Sequence, residues 1–104
     1  MIGVVAVNLE GPFHSPCLGQ VIQLNCSHRF NDASLTVTVV WERNGSTIYT
    51  EDLHTLDTQT YEILDINLTS VAFKDKVWIY RCYTQHIDTY VREYSNEVVI
   101  DTVG

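Results

Sequence analysis

The sequence has little of what helices, membrane spans and signal peptides require. Only three of its 104 residues are alanine and two are lysine, while valine, isoleucine, threonine and tyrosine are abundant, a balance that favours strands. No run approaches the roughly 18 apolar residues of a membrane span, and no stretch has a helical period. The N-terminus lacks a basic region followed by a long apolar stretch. We therefore expect an all-β chain, and we interpret Met1 as an expression start on a fragment of a longer protein.

Positive charge is also scarce. Six basic residues stand against thirteen acidic ones, which gives a net charge of −7. Binding to nucleic acid or to an anionic membrane requires concentrated positive charge, so we expect this fragment to bind no nucleic acid and to make no direct membrane contact. The acidity is explained by solubility alone.

Patterns that carry catalysis are missing as well. The chain has no glycine-rich phosphate loop and no Ser/His/Asp motif, and its carboxylates are scattered rather than paired. Its four histidines fall in predicted loops or edges: His14, His28, His54 and His86. A zinc pair of His28 and His86 is conceivable if their loops meet, but two ligands make a weak site. The sequence therefore predicts no enzyme, no cofactor and no metal site.

What the sequence does contain is a series of short strands, spaced as in a β-sandwich. The predicted strands are residues 2–7, 20–26, 35–42, 47–50, 61–68, 77–84 and 94–101. Asn44-Gly45 is a strong hairpin signal because both positions tolerate positive φ. Residues 51–59 could hold one or two further edge strands. A chain of this length has room for one core, so we expect a single domain over residues 1–104.

Two cysteines, a tryptophan and a tyrosine have a distinctive spacing in this sequence. Trp41 follows Cys26 by 15 residues, and Tyr80 lies two residues before Cys82. This spacing resembles the immunoglobulin superfamily, which places a Cys on strand B, a core Trp on strand C, and a Tyr two before the Cys of strand F. The resemblance implies an immunoglobulin-like Greek-key sandwich of two antiparallel sheets, ABED and GFCC′, joined by a Cys26–Cys82 disulfide. It also implies that the Tyr80 phenol hydrogen-bonds the backbone at a corner.

Three features of the sequence differ from the usual family pattern. Strand G lacks the Gly-x-Gly bulge of antigen-receptor variable domains, and the spacing from Cys26 to Cys82 lies between those of the shorter and longer sets. Asp75 precedes Cys82 by one residue more than usual, which favours a bulge or a longer turn before strand F. The chain is therefore similar to a variable-like or intermediate set, with a C′ strand after the hairpin turn.

Cys17 is left over from this pairing. Three interpretations stay open: a buried or inert thiol, a bond to a neighbouring domain or chain, and an alternative pairing inside the domain.

Three N-glycosylation sequons begin at Asn25, Asn44 and Asn67. Together with the disulfide they indicate an extracellular protein. We expect the fragment to come from the ectodomain of a single-pass membrane protein at the cell surface.

Strand parity distinguishes the two outer faces of the sandwich. Asn25 and Asn67 point outward on the ABED sheet, where glycans would obstruct partners, and Gln23 and Glu62 are assigned to the same face. The outward positions of the GFCC′ sheet have the composition of an interface core. The predicted partner-binding face is Val40, Glu42, Tyr49, Ile79, Arg81, Tyr83 and Val99. The alternative is that its valines and isoleucines are merely strand formers.

The resemblance and this face predict a recognition or adhesion module of a cell-surface receptor, which binds a protein partner that could be a second copy of the chain. The domain is similar to the membrane-distal domains of such receptors, including invertebrate self-recognition receptors built of tandem immunoglobulin-like domains. Two alternatives stay open: a structural spacer in a longer ectodomain, and a viral immunoglobulin-like surface glycoprotein that binds a host protein.

Overall fold

The computed structural model describes residues 4–12, 16–31, 36–54, 58–68 and 77–101. In these ranges every regular element is a β-strand, as the abundance of β-branched and aromatic residues predicts. The strands are β1 (Val4–Glu10), β2 (Val21–Phe30), β3 (Thr36–Arg43), β4 (Ser46–His54), β5 (Gln59–Asn67), β6 (Val77–His86), β7 (Arg92–Tyr94) and β8 (Val98–Asp101).

The strands form two antiparallel sheets. One has the order β1-β2-β5 and contains the predicted strands A, B and E. The other has the order β4-β3-β6, with β7 and β8 both paired to β6. This second sheet is the predicted GFCC′ sheet, with strand G divided into β7 and β8. We call the two the β1-β2-β5 sheet and the GFCC′ sheet.

The residues that could have held a strand D join other elements. Residues 51–54 extend β4, and β5 begins at Gln59. Within the described ranges the β1-β2-β5 sheet therefore has three strands. Residues 55–57 lie outside these ranges, as do the predictions for His14, for Leu35 and for the turn around Asp75.

The four-residue pattern lies in the core between the sheets. Cys26 on β2 and Cys82 on β6 are joined by a disulfide, with their Cα atoms 6.4 Å apart. Trp41 and Tyr80 are each 1% exposed, whereas Trp78 is only partly buried, with Arg43 stacked over its ring. The predicted fold class and the disulfide are confirmed.

Among the described residues, the Tyr80 side chain does not make the hydrogen bond that was expected at a corner of the backbone. Its hydroxyl is buried, and it makes no hydrogen bond in the described part of the chain. Burial raises the pKa of the phenol, although the nearby Arg43 guanidinium acts in the opposite direction. Among the described residues the ring therefore fills the core without the backbone hydrogen bond that the resemblance implied, and residues 69–76, which precede β6, lie outside these ranges.

Cys17 is free and exposed. The interpretation of a buried thiol is therefore wrong, whereas an inert thiol and a bond to a neighbouring domain or chain stay open. Pairing inside the domain is excluded as well, because Cys26 and Cys82 are bonded to each other.

Candidate functional site

The outer face of the GFCC′ sheet is built from rows of side chains, because residues opposite each other in antiparallel strands point to the same side. The first row runs across β4, β3, β6 and β7 and consists of Asp52, Thr38, Gln85 and Arg92. The second row crosses the same strands and consists of Thr50, Val40, Tyr83 and Tyr94. The third row contains Glu42 on β3 and Arg81 on β6.

Two arginines and two tyrosines interlock on the β6–β7 side of this face. The rings of Tyr83 and Tyr94 lie 4.9 Å apart at an interplanar angle of 46°. The guanidinium carbon of Arg81 lies 4.3 Å from the Tyr94 ring centroid, and that of Arg92 lies 4.6 Å from the Tyr83 centroid. Each such contact contributes about 0.5–1 kcal/mol at an exposed site. We call these four side chains the Arg–Tyr cluster.

Arg81 is neutralised within the molecule. Its Nε donates to Oε1 of Glu42 at 2.9 Å, and its Nη2 lies 2.7 Å from the same oxygen. The two residues are direct cross-strand neighbours, so the ion pair follows from the register of β3 and β6.

Arg92 has a different environment. Its Nε donates to Oε1 of Gln85 at 2.7 Å and its Nη1 donates to the Tyr94 hydroxyl at 3.2 Å. The bond to Tyr94 raises the pKa of Arg92 above its usual value, so the group is always charged. No carboxylate of the described residues lies within 4.0 Å of it. Arg92 is thus a positioned cation without a counter-ion in these parts of the chain.

The model of the immunoglobulin domain family matches residues 17–91, which is most of the chain. The chain belongs to the immunoglobulin domain family. No curated protein matches it.

The solved structures that share this fold include a CARDB domain and CHIR-AB1. The CARDB domain of the PF1109 protein from Pyrococcus furiosus, crystallised with di-metal ions, has a TM-score of 0.75 at 9% identity, over 98% of this chain and 89% of that one. The crystal structure of CHIR-AB1 has a TM-score of 0.65 at 15% identity, over 94% of this chain and 96% of that one. At such identities the likeness shows the fold alone.

The family and the disulfide indicate an extracellular domain of a typically non-enzymatic class. In the ranges that the structure describes, no helix is long and apolar enough to cross a membrane.

For six of the seven residues predicted to form the binding face, the register agrees with the outer face of the GFCC′ sheet. They are Val40, Glu42, Ile79, Arg81, Tyr83 and Val99. The seventh, Tyr49, is paired with Trp41 and therefore belongs to the inward side of the sheet, at its edge. A β-bulge between Trp41 and Glu42 shifts the pairing of β4 by one residue, and such a shift moves a side chain to the other face.

Exposure on this face differs from the prediction. Val40 and Tyr83 are only 5% and 7% exposed, and the guanidinium of Arg92 lies over the Tyr83 ring. The exposed apolar residues of the face lie toward β8 instead, at Val77, Ile79 and Val99. The immunoglobulin domain thus presents stacked arginines and tyrosines above a buried layer, with an apolar area beside them.

Sequence reasoning missed Arg92 and Tyr94. A single strand over residues 94–101 with Val98 inward would also direct Tyr94 inward, but residues 95–97 interrupt the strand. There, the Asn96 side chain exchanges two hydrogen bonds of 2.9 Å with the backbone of Leu9. The alternation Arg92-Glu93-Tyr94 was the signal that could have placed both residues on the outer face.

His28 and His86 do not form the conceivable zinc pair, because β2 continues to Phe30 and carries His28 into the core. The imidazole of His28 bonds Glu62 on β5 and Thr84 on β6. His86 ends β6, where its Nδ1 accepts from the backbone N–H groups of Asp88 and Thr89 at 3.2 and 3.3 Å.

A second potential ligand group contains Cys26, His28 and Glu62, whose ligand atoms lie within 4.8 Å of one another. The Cys26 sulfur is consumed by the disulfide, and only a thiolate binds a metal. This group is therefore part of the folded core.

Glu62 was assigned to the outer face opposite the GFCC′ sheet, and this assignment is wrong. Glu62 is paired with Cys26, so it points inward, and it bonds His28. Gln23, paired with Asp65, is exposed on the outer face as expected.

The three sequons lie at different places on the domain. Asn25 and Asn67 are on the outer face of the β1-β2-β5 sheet. Asn44 lies in the β3–β4 turn, where its Oδ1 accepts from the N–H of Ile79 at 2.8 Å. It lines a shallow pocket of about 400 Å³ together with Glu42, Ile79 and Arg81. Asn44 is thus a direct neighbour of the candidate site.

Proposed function

We propose that this immunoglobulin domain is an extracellular recognition or adhesion module of a cell-surface receptor, and that it binds a protein through the outer face of the GFCC′ sheet. The observation that supports this most directly is the state of Arg92. The guanidinium is held by two hydrogen bonds and by the Tyr83 ring, yet it lacks a carboxylate among the described residues. A side chain that is already ordered loses little rotamer entropy on binding.

The composition of the Arg–Tyr cluster supports the same face. Tyrosine and arginine are enriched among the residues that dominate binding energy in protein interfaces. Tyr94 is 40% exposed, and Ile79 and Val99 extend the face with apolar surface. A partner therefore meets the cation of Arg92 on the edge strand β7, and an apolar area toward the other end of the face.

The opposite outer face is less suited to a partner. It exposes Tyr61 and Ile63, but Ile63 is the cross-strand neighbour of Asn25. A glycan on Asn25 would lie over these two side chains, and one on Asn67 would cover the end of the same sheet.

The test compares two exposed arginines on opposite faces. Arg92→Glu and the matched control Arg29→Glu make the same change in charge, and Arg29 is exposed on the β1-β2-β5 sheet. Multimers of the domain are applied to a panel of cells and ectodomains, and binding is measured at equal folded concentration. We expect loss with Arg92→Glu and retention with Arg29→Glu. Loss with Arg29→Glu alone would place the binding site on the β1-β2-β5 sheet, and no binding by any form would favour a spacer; either outcome overturns the proposal.

A further inference from the structure

Charge is divided between the two halves of the GFCC′ face. In the three rows, the carboxylates of Glu42 and Asp52 belong to β3 and β4, and the guanidiniums of Arg81 and Arg92 belong to β6 and β7. At about 4.8 Å per strand spacing, β4 and β7 are roughly 14 Å apart. The boundary between the two halves runs along the strands, midway between β3 and β6.

A two-fold axis along this boundary exchanges the two halves. If a second copy is docked face to face about it, each β3 position meets the β6 position of the same row, and each β4 position meets the β7 position. The resulting contacts between copies are Asp52 with Arg92, Thr38 with Gln85, Thr50 with Tyr94, and Glu42 with Arg81, while Val40 and Tyr83 stay buried beneath them. Every contact joins complementary chemistry, and each occurs twice, as an isologous interface requires.

We propose that the partner of this face is a second copy of the domain, held by two reciprocal Asp52–Arg92 ion pairs about this axis. The inference rests on the proposed function and specifies its partner.

The Asp52–Arg92 contact is the strongest of the set because neither group must give up a charged partner. Asp52 is exposed, and its Oδ1 accepts from the Thr38 hydroxyl at 2.8 Å. Neither Asp52 nor Arg92 has an opposite charge within 4.0 Å in the described ranges. An arginine fork suits a carboxylate that arrives from outside.

The third row contributes differently. Glu42 and Arg81 are already paired in each molecule. In the dimer the two pairs approach head to tail, so that each arginine faces the carboxylate of the other copy. The four charges then alternate around a ring, and no ion pair is broken.

The size of the contact sets its strength. Three rows across four strands cover roughly 300 Å² of sheet per copy, well below the ~800 Å² per partner of a stable complex. Each domain also carries a net charge of −7, which opposes association. The dimer is therefore weak in solution, and it needs many copies on each surface to hold two surfaces together.

The test is a charge swap in a bead-aggregation assay. Beads densely coated with wild-type domain are expected to aggregate, whereas beads with Arg92→Asp alone or Asp52→Arg alone should lose at least tenfold in aggregate mass. In a mixture of the two single variants, the introduced aspartate faces the introduced arginine and the native Asp52 faces the native Arg92, so mixed aggregates should form. Beads with both changes should aggregate with each other and exclude wild-type beads. Arg29→Asp serves as the control with unchanged aggregation.

The outcomes separate this inference from the proposed function. Circular dichroism and thermal unfolding first establish that each variant is folded. If the single variants aggregate like wild type, or if their mixture is no better than either alone, the two-fold contact is overturned. Wild-type beads could also stay dispersed while domain multimers bind another protein through Arg92. That result would show that the partner is not a second copy, and it would leave the proposed function intact.

Discussion

His28 and Thr84 join the two sheets through the core of the domain. The Thr84 hydroxyl is hydrogen-bonded to Nδ1 of His28, and Nε2 of the same ring is hydrogen-bonded to the carboxylate of Glu62. His28 lies two residues after Cys26 on β2, and Thr84 lies two residues after Cys82 on β6. The same pair of strands therefore carries a covalent and a hydrogen-bonded connection on neighbouring positions.

Thr84→Val should destabilise the domain. The change keeps the shape of the side chain but removes the hydroxyl, which leaves the buried Nδ1 of His28 without its hydrogen-bond partner. A buried polar atom left unsatisfied costs about 1–3 kcal/mol, and chemical denaturation of the oxidised protein measures this. Thr38→Val, on the outer face of the GFCC′ sheet, is the matched control and should change stability by less than about 0.5 kcal/mol. Equal stability of both variants would show that the connection through His28 contributes nothing.

Trp41→Ala should be among the most destabilising single changes in the domain. The indole is fully buried beside the disulfide, and removing a buried aromatic costs roughly 3–5 kcal/mol. Trp78→Ala should cost less because this side chain is only partly buried. Urea unfolding of the two variants gives the comparison, and a larger loss for Trp78→Ala would contradict the packing described above.

Cys17 should react with a thiol reagent without denaturation, because it is free and exposed. One equivalent of maleimide is expected to label the native protein at Cys17, while mass spectrometry shows Cys26 joined to Cys82. Reduction should then label all three and lower the stability by roughly 4 kcal/mol, since the disulfide closes a long loop. If the native protein resists labelling, the exposed placement of Cys17 is wrong.

A glycan on Asn44 should weaken binding through the GFCC′ face, because this residue lines the pocket with Arg81 and Ile79. Ser46→Ala removes the sequon and leaves the Asn44 side chain, with its bond to Ile79, in place. In protein from a glycosylating host, Ser46→Ala is expected to increase bead aggregation at least twofold. Ser27→Ala removes the Asn25 sequon on the other sheet and should have no such effect. If both variants behave alike, Asn44 is either unmodified or outside the contact.

The fold was predictable because four residues at fixed spacing constrain three strands at once. Cys26, Trp41 and Cys82 must come together in the core, and this positions β2, β3 and β6 before any loop is considered. Alternation within the predicted strands 20–26 and 35–42 then gave the inward side chains correctly as far as the structure describes them, but it missed His28 and Phe30, which lie beyond the predicted end of β2.

The candidate site was less predictable because it depends on features that shift a strand by one residue. The bulge after Trp41 moved Tyr49 to the other side of β4, and the interruption at residues 95–97 reversed Tyr94. Strand parity alone also does not show whether an outward-pointing side chain is covered by its neighbours. Val40 points outward as expected, yet it is buried, because long arginine and tyrosine side chains lie across the face.

The Cys26–Cys82 bond also determines how the domain responds to mechanical force. Tension applied at the two ends of the chain passes from β2 to β6 through the sulfur atoms, so it bypasses the segment between them, a sequence separation of 56 residues. At about 3.4 Å per extended residue, roughly 190 Å of chain cannot be extended while the disulfide is intact. Trp41, β3, β4 and β5 lie inside that segment. A domain built in this way can lose its outer strands under load while the part around Trp41 stays closed, and its extension is limited by a covalent bond.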